Sequence, residues 1–162
     1  MSEVAGPRRV PFDEEFLRLS YEWLTDEAMR SLTMSPPVTP EAQAAWWDAL
    51  PKRPDYAVWG IEYDGAPVGA MGIKRIGEDD GAEYFMYIGD RAYWGRGVAS
   101  WAFAVICDEV RSRGLSTLYG RIGKHNDRSL AVHLREGFRI VGEDGDVWLV
   151  AYDLTANPRE EP

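Results

Sequence analysis

The sequence is poor in the residues that build covalent or metal scaffolds. Its 162 residues include one cysteine, Cys107, and two histidines, His125 and His133. A single cysteine excludes any disulfide within the chain and fits a reducing, cytoplasmic setting. One Cys with two His argues against a structural zinc centre, which takes four ligands, mostly of these types, so no metal is expected. Positive charge is scarce too: 18 Lys plus Arg stand against 27 Asp plus Glu, a formal net charge of −9. Nucleic-acid binding needs a positive face, so no nucleic-acid partner is expected. The acidity is compatible with drawing in a cationic small substrate such as an amine, and equally with solubility alone. Long apolar runs are also missing. None approaches the roughly 18 residues that cross a bilayer, and no apolar stretch follows the basic pair Arg8–Arg9. Neither a membrane partner nor a signal peptide is expected. Two phosphate-binding loops are absent: there is no G-x-x-x-x-G-K-[ST], and Ser100 stands where G-x-G-x-x-G would place its third glycine.

What is present suits one domain with a real core. Apolar residues make up 45%, with seven Trp and eight Tyr. A single domain is expected over 1–162, with flexible tails at about 1–7 and 156–162. A first strand is read near Arg8 to Phe12. Asp13 then caps a helix carrying Phe16, Leu17, Leu19, Trp23 and Leu24, which ends near Thr25–Asp26 with a further turn through Ala28–Met29. The prolines of the Ser35–Pro40 segment exclude regular helix. Thr39 caps a second helix with Pro40 at its first position. Tyr56 to Tyr63 and Val68 to Ile76 form a hairpin about Asp64–Gly65, and Glu83 to Ile88 extends it.

Tyr93-Trp94-Gly95-Arg96-Gly97-Val98-Ala99-Ser100 then joins that strand to a long apolar helix running from Val98 to Arg113, whose start is expected to be buried between layers. A strand, a turn on two glycines and a helix leave the first helical N–H groups unpaired and facing outward. The helix dipole adds positive charge there, which suits a phosphate or diphosphate. The alternative is an ordinary turn that precedes a helix. Leu115 to Ile122 alternates as a strand, with Leu118, Gly120 and Ile122 on one face. Asn126 caps a helix ended by Gly137, and strands Phe138–Val141 and Val147–Leu154 close the chain. The order is β-α-α-β-β-β-α-β-α-β-β. It predicts an α/β (mixed α+β) fold in which helices flank a central mixed sheet.

This order and two motifs resemble the GCN5-related N-acetyltransferase (GNAT) superfamily. The first motif, [RQ]-x-x-G-x-[GA], maps onto Trp94 to Ala99, with Gly97 and Ala99 matching and Trp94 replacing the usual Arg or Gln. The second, Asn followed eleven residues later by Gly-Phe, maps onto Asn126 and Gly137–Phe138. The Tyr-Trp-Gly-basic-Gly form is similar to the branch holding ribosomal-protein alanine acetyltransferases and amino-sugar acetyltransferases. The resemblance spans about residues 8 to 154. It implies the acyl-CoA acyltransferase fold, with a mostly antiparallel sheet of six to seven strands and about four helices. It implies acetyl-CoA as cosubstrate, its diphosphate on the amides of Gly95, Arg96, Gly97, Val98, Ala99 and Ser100, with the Arg96 side chain adding a contact. It implies that the strand Glu83–Ile88 parts from its downstream neighbour to admit the pantetheine arm, with an amide of Tyr87 or Ile88 polarising the thioester carbonyl. Asn126 and Ser129 are expected to bond the cofactor arm.

The implied reaction is direct acetyl transfer to a primary amine, which must shed a proton. Glu83 is the candidate base and lies beside the substrate, with Tyr84 and Glu62 as weaker alternatives. Tyr is usual seven residues after the motif Asn; here that residue is His133, the candidate acid. Trp46, Trp47 and Trp59 are candidates for lining an acceptor site that the early helices and the Ser35–Pro40 loop build, or for packing alone. A small amine, such as an amino sugar, is favoured as partner over a protein N-terminus. A non-catalytic acyl-CoA-binding module is the rival reading, and a homodimer is left open.

Overall fold

The computed structural model describes residues 6–33 and 37–155. Ser35 and Pro36 of the proline-rich segment and most of both expected tails lie outside them. The elements in order are β1 (Pro7–Pro11), α1 (Glu14–Thr25), α2 (Glu27–Thr33), α3 (Pro40–Ala49), β2 (Ala57–Tyr63), β3 (Ala66–Lys74), β4 (Gly81–Ile88), α4 (Val98–Ser112), β5 (Thr117–Gly123), α5 (Asp127–Glu136), β6 (Arg139–Asp144) and β7 (Val147–Asp153). Short 3₁₀ turns lie at Leu50–Lys52, Glu78–Asp80 and Arg91–Tyr93.

Two details differ from expectation. The turn after α1 is a helix of its own, because Asp26 leaves the helical region (ψ 118°) and its carboxylate accepts from Ala28 N at 2.9 Å, starting α2 afresh. The first strand starts one residue earlier than expected: Pro7 pairs with Tyr63, and Gly6 N donates to Asp64 Oδ1 at 2.7 Å.

The strands form one seven-stranded sheet in the order β1-β2-β3-β4-β5-β7-β6. All neighbours are antiparallel except β4 and β5. α4 packs one stripe on the sheet: Val98, Ala102, Ile106 and Val110 recur every four residues and are buried. Its start is not buried all round, since Ala99 and Ser100 are exposed. The stripe lies on the sheet, Phe103 adds contacts with Tyr84 of β4 and Tyr152 of β7, and Ala99 of the first turn faces outward. The opposite face of the sheet carries α1, where Phe16 is buried against the bare backbone of Gly60.

Alternation along β4 decides what meets what. Tyr84 packs among Phe103 of α4 and Phe138 and His133 near α5. Phe85 and Tyr87 instead meet Tyr56 and Trp23, on the α1–α3 side.

Candidate active site

β4 and β5 are paired at only three positions, Gly81–Thr117, Ala82–Leu118 and Glu83–Tyr119. Both strands run on, β4 to Ile88 and β5 to Gly123, without pairing further. A gap therefore opens beside the second half of β4. Backbone groups alternate sides along a strand. Gly81 O accepts from Gly77 N (2.8 Å) on the β3 side, and Asp80 O accepts from Ser116 N (3.0 Å) on the β5 side. Carried along β4, whose register with β3 has no shift, this alternation aims the amides of Tyr84, Met86 and Ile88 at the gap. The amide of Tyr87 points to β3. Of the two amides expected to polarise a carbonyl, that of Ile88 is in position and that of Tyr87 is not. The Ile88 carbonyl is already engaged by Trp94 Nε1 at 2.7 Å, which ties the glycine loop to the end of the strand.

The loop itself turns on Gly95 (φ 79°) and Gly97 (φ 78°), in the left-handed region that glycine adopts most easily. No side chain caps α4, and open space lies where Cβ atoms at these two glycines would stand. The α4 amides of Val98, Ala99 and Ser100 are thus free of any side-chain cap, and a diphosphate fits them on both charge and shape. Arg96 does not join them. Its guanidinium lies over the rings of Tyr93 (5.0 Å) and Tyr63 (5.8 Å), turned out of the cavity, because those rings offer it the nearer face.

The gap belongs to a cavity of about 1090 Å³ that reaches both faces of the sheet. On the α4–α5 side, Asn126 Oδ1 caps α5 by accepting from Ser129 N at 3.1 Å. His133 Nδ1 lies 2.7 Å from the Ser129 carbonyl. A carbonyl only accepts, so Nδ1 carries the proton; in the neutral ring Nε2 is then an acceptor, and the Tyr84 hydroxyl donates to it. Burial lowers the His133 pKa, which keeps the ring neutral, and burial raises that of Tyr84, which keeps its hydroxyl protonated. The one proton of the His133 ring is thus held on Nδ1 by the Ser129 carbonyl, and the nitrogen that faces Tyr84 has none to give, contrary to the acid role read from its position. The proton of the pair sits on Tyr84.

On the α1–α3 side, Glu83 lines the cavity as expected, but not as a free carboxylate. It is 6% exposed, and Lys74 Nζ (3.3 Å) and Arg75 Nη1 (3.8 Å) engage its oxygens. The sequence did not signal this, because both cations come from the end of β3, and the facing of Lys74 and Glu83 is set by the β3–β4 register. Trp46 lines the cavity, whereas Trp47 and Trp59 do not. Trp47 packs against Phe12, and Trp59 lies under the Arg9 guanidinium. Glu62, on β2, also lies outside the lining. Phe12, Tyr56 and Phe85 line the cavity without having been singled out; the period of two that places Phe85 on the face of Glu83 is the one signal that pointed to any of them.

A family model described as an acetyltransferase (GNAT) domain matches residues 9–139. The chain belongs to the GNAT family. This GNAT protein is therefore an N-acetyltransferase with acetyl-CoA as donor. Solved structures share its fold at low identity. A spermidine N-acetyltransferase from Vibrio cholerae, in complex with CoA and spermine, is 14% identical with a TM-score of 0.81, over 93% of this chain and 96% of that one. The Campylobacter jejuni N-acetyltransferase PseH, in complex with acetyl coenzyme A, is 17% identical with a TM-score of 0.69, over 91% and 98%. The ribosomal-protein-S18-alanine N-acetyltransferase from Escherichia coli is 13% identical with a TM-score of 0.69, over 96% and 99%. No curated protein is significantly similar to this GNAT chain in sequence. Among the described residues no helix is long and apolar enough to cross a membrane, and no His, Cys, Asp and Glu cluster suits a metal ion.

Proposed function

We propose that this acetyltransferase passes the acetyl group directly to the primary amine of a small molecule. The observation that carries this is the unpaired half of β4 beside the uncapped start of α4, opening into a cavity that reaches both sheet faces. The α4 amides of Val98, Ala99 and Ser100, with those of Gly95 to Gly97, hold the diphosphate. Asn126 and Ser129 flank the arm. The Ile88 amide meets the thioester carbonyl oxygen and stabilises the charge that develops there. Tyr84 supplies the proton that the departing thiolate needs, and His133 positions its hydroxyl.

Direct transfer fits the lack of a reactive thiol. Cys107 is buried in α4, does not line the cavity, and burial pushes its thiol up to about 11. The amino sugar favoured from the sequence drew on tryptophan stacking, and of the three tryptophans named for it Trp46 alone lines the cavity. A protein N-terminus is the less favoured acceptor. The test is thiol release from acetyl-CoA against a panel of amines, after acetyl-CoA has been shown to raise the melting midpoint. Tight CoA binding without turnover of any amine identifies a binding module and ends the enzyme reading.

A further inference from the structure

The acceptor side of the cavity is lined in a way that limits what can sit there. Four of its rings make a continuous wall. Phe85 packs on Tyr56 (5.6 Å between centroids), Tyr56 stands edge-on to Trp46 (6.1 Å), and Trp46 edge-on to Phe12 (5.5 Å). All four line the cavity. The wall begins on β4 itself, at Phe85, so a ligand on it lies next to the gap where the thioester is held.

The polar groups opposite are largely engaged with one another. Gln43 Nε2 donates to Ser20 Oγ (2.9 Å) and to the Leu17 carbonyl (2.9 Å), and Ser20 Oγ donates to that same carbonyl (2.8 Å). The Trp46 indole N–H is spent on the Tyr56 hydroxyl at 3.2 Å. The carboxylate on this side, Glu83, is held by Lys74 and Arg75. Among the described residues a polycation would find no unpaired carboxylate on this side for its further charges, and a sugar would leave ring hydroxyls unmatched against aromatic faces. The net charge of −9 is therefore carried elsewhere on the chain.

We infer that the acceptor is a monoamine with a flat aromatic or apolar body, an arylalkylamine in chemical class, which lies along the Phe85–Tyr56–Trp46–Phe12 wall with its amine at the β4–β5 gap. The wall performs a second task. A buried ammonium beside Lys74 is disfavoured both by desolvation and by like charge, so the lobe favours the neutral amine that must attack. The amine leaves its ammonium proton to solvent on entry, and the proton its nitrogen sheds after attack replaces the one that Tyr84 gives to the departing thiolate, so the step balances without a free carboxylate.

This inference rests on the acetyltransferase reading, and the two fail differently. The experiment measures acetyl-CoA binding by calorimetry and then kcat/KM for 2-phenylethylamine, tryptamine, glucosamine, spermidine and an alanyl peptide. The expected result is that 2-phenylethylamine and tryptamine exceed the other three at least tenfold. In Phe85→Leu and Trp46→Leu, KM for tryptamine rises about tenfold while KM for acetyl-CoA stays within about twofold. Glucosamine, spermidine or the peptide ranking first overturns the inference and leaves the acetyltransferase reading standing. Acetyl-CoA binding with turnover of none of the five amines also overturns it. Absence of acetyl-CoA binding overturns both.

Discussion

Helices α4 and α5 begin in opposite ways, although both face the same cavity. α5 starts on Asn126, whose side chain accepts from Ser129 N, and α1 and α3 start likewise on Asp13 and Thr39. α4 starts on Gly97, which has no side chain to offer. A helix end with its amides unmatched costs stability that a capping residue would restore, on the order of 1 kcal/mol. The protein caps α1, α3 and α5 and leaves bare the helix whose first amides look into the cavity. Donors left without a side-chain cap suit an anion, which is why the proposed diphosphate site lies at α4 and not at α5. The same contrast holds across β4. Its first residues are paired with β5 as well as β3, whereas its last residues keep β3 on one edge and have no strand on the other.

The strongest way to break the contrast is to put an anion where the dipole and the diphosphate meet. Gly97→Asp is expected to lower acetyl-CoA affinity by at least about 100-fold, from the loss of charge-assisted bonds worth roughly 1.5–3 kcal/mol and from added repulsion. Calorimetric titration reads this, and an unchanged affinity would mean the α4 amides are not the diphosphate site. Next, Tyr84→Phe is expected to lower kcat about 100-fold, at the low end for a lost proton donor, with KM for acetyl-CoA little changed. Asn126→Ala tests the capped helix: the melting midpoint falls by about 2–4 °C, matching about 1 kcal/mol in a chain of this size.

His133 sharpens the comparison through pH. Its pKa in the fold lies below the ordinary 6.5, burial being the main cause. Between the two values the unfolded chain binds the extra proton, so the stability contributed by the neutral ring is whole above pH 6.5 and is lost as pH falls through the folded value. Urea denaturation between pH 7.5 and 5 is expected to show this loss in the native protein and a smaller loss in His133→Gln. The smallest effect belongs to Arg96. Turned onto Tyr93 and Tyr63, it is expected to change KM for acetyl-CoA less than about threefold when replaced by alanine.

Much of the site was legible from local chemistry. Gly95 and Gly97 announce a turn that only glycine makes easily, and the position of Gly97 before an apolar helix announces bare amides. Asn126 was readable as a cap because capping needs only the residue and the three that follow it. Alternation along β4 is enough to put Glu83, Phe85 and Tyr87 on one face. What misled was state rather than place. Glu83 was read as a free carboxylate, and it is held by two cations. His133 was read as a proton donor, and it is a neutral acceptor. Tyr87 and Ile88 were read as interchangeable, and pairing with β3 takes the amide of Tyr87 away.

Residues within a few positions of one another are enough for the order of the elements other than α2, for the caps, for the glycine turn and for the face on which each β4 side chain lies. Contacts between distant segments settle the rest: that β4 and β5 part after Glu83 and Tyr119, that the Tyr84 hydroxyl donates a hydrogen bond to His133 across 49 positions of chain, and that rings from a β1-flanking residue, α3, the residue before β2 and β4 stand in one wall. Those outcomes depend on register and packing between distant segments, where a shift of a single residue would turn each side chain to the other face.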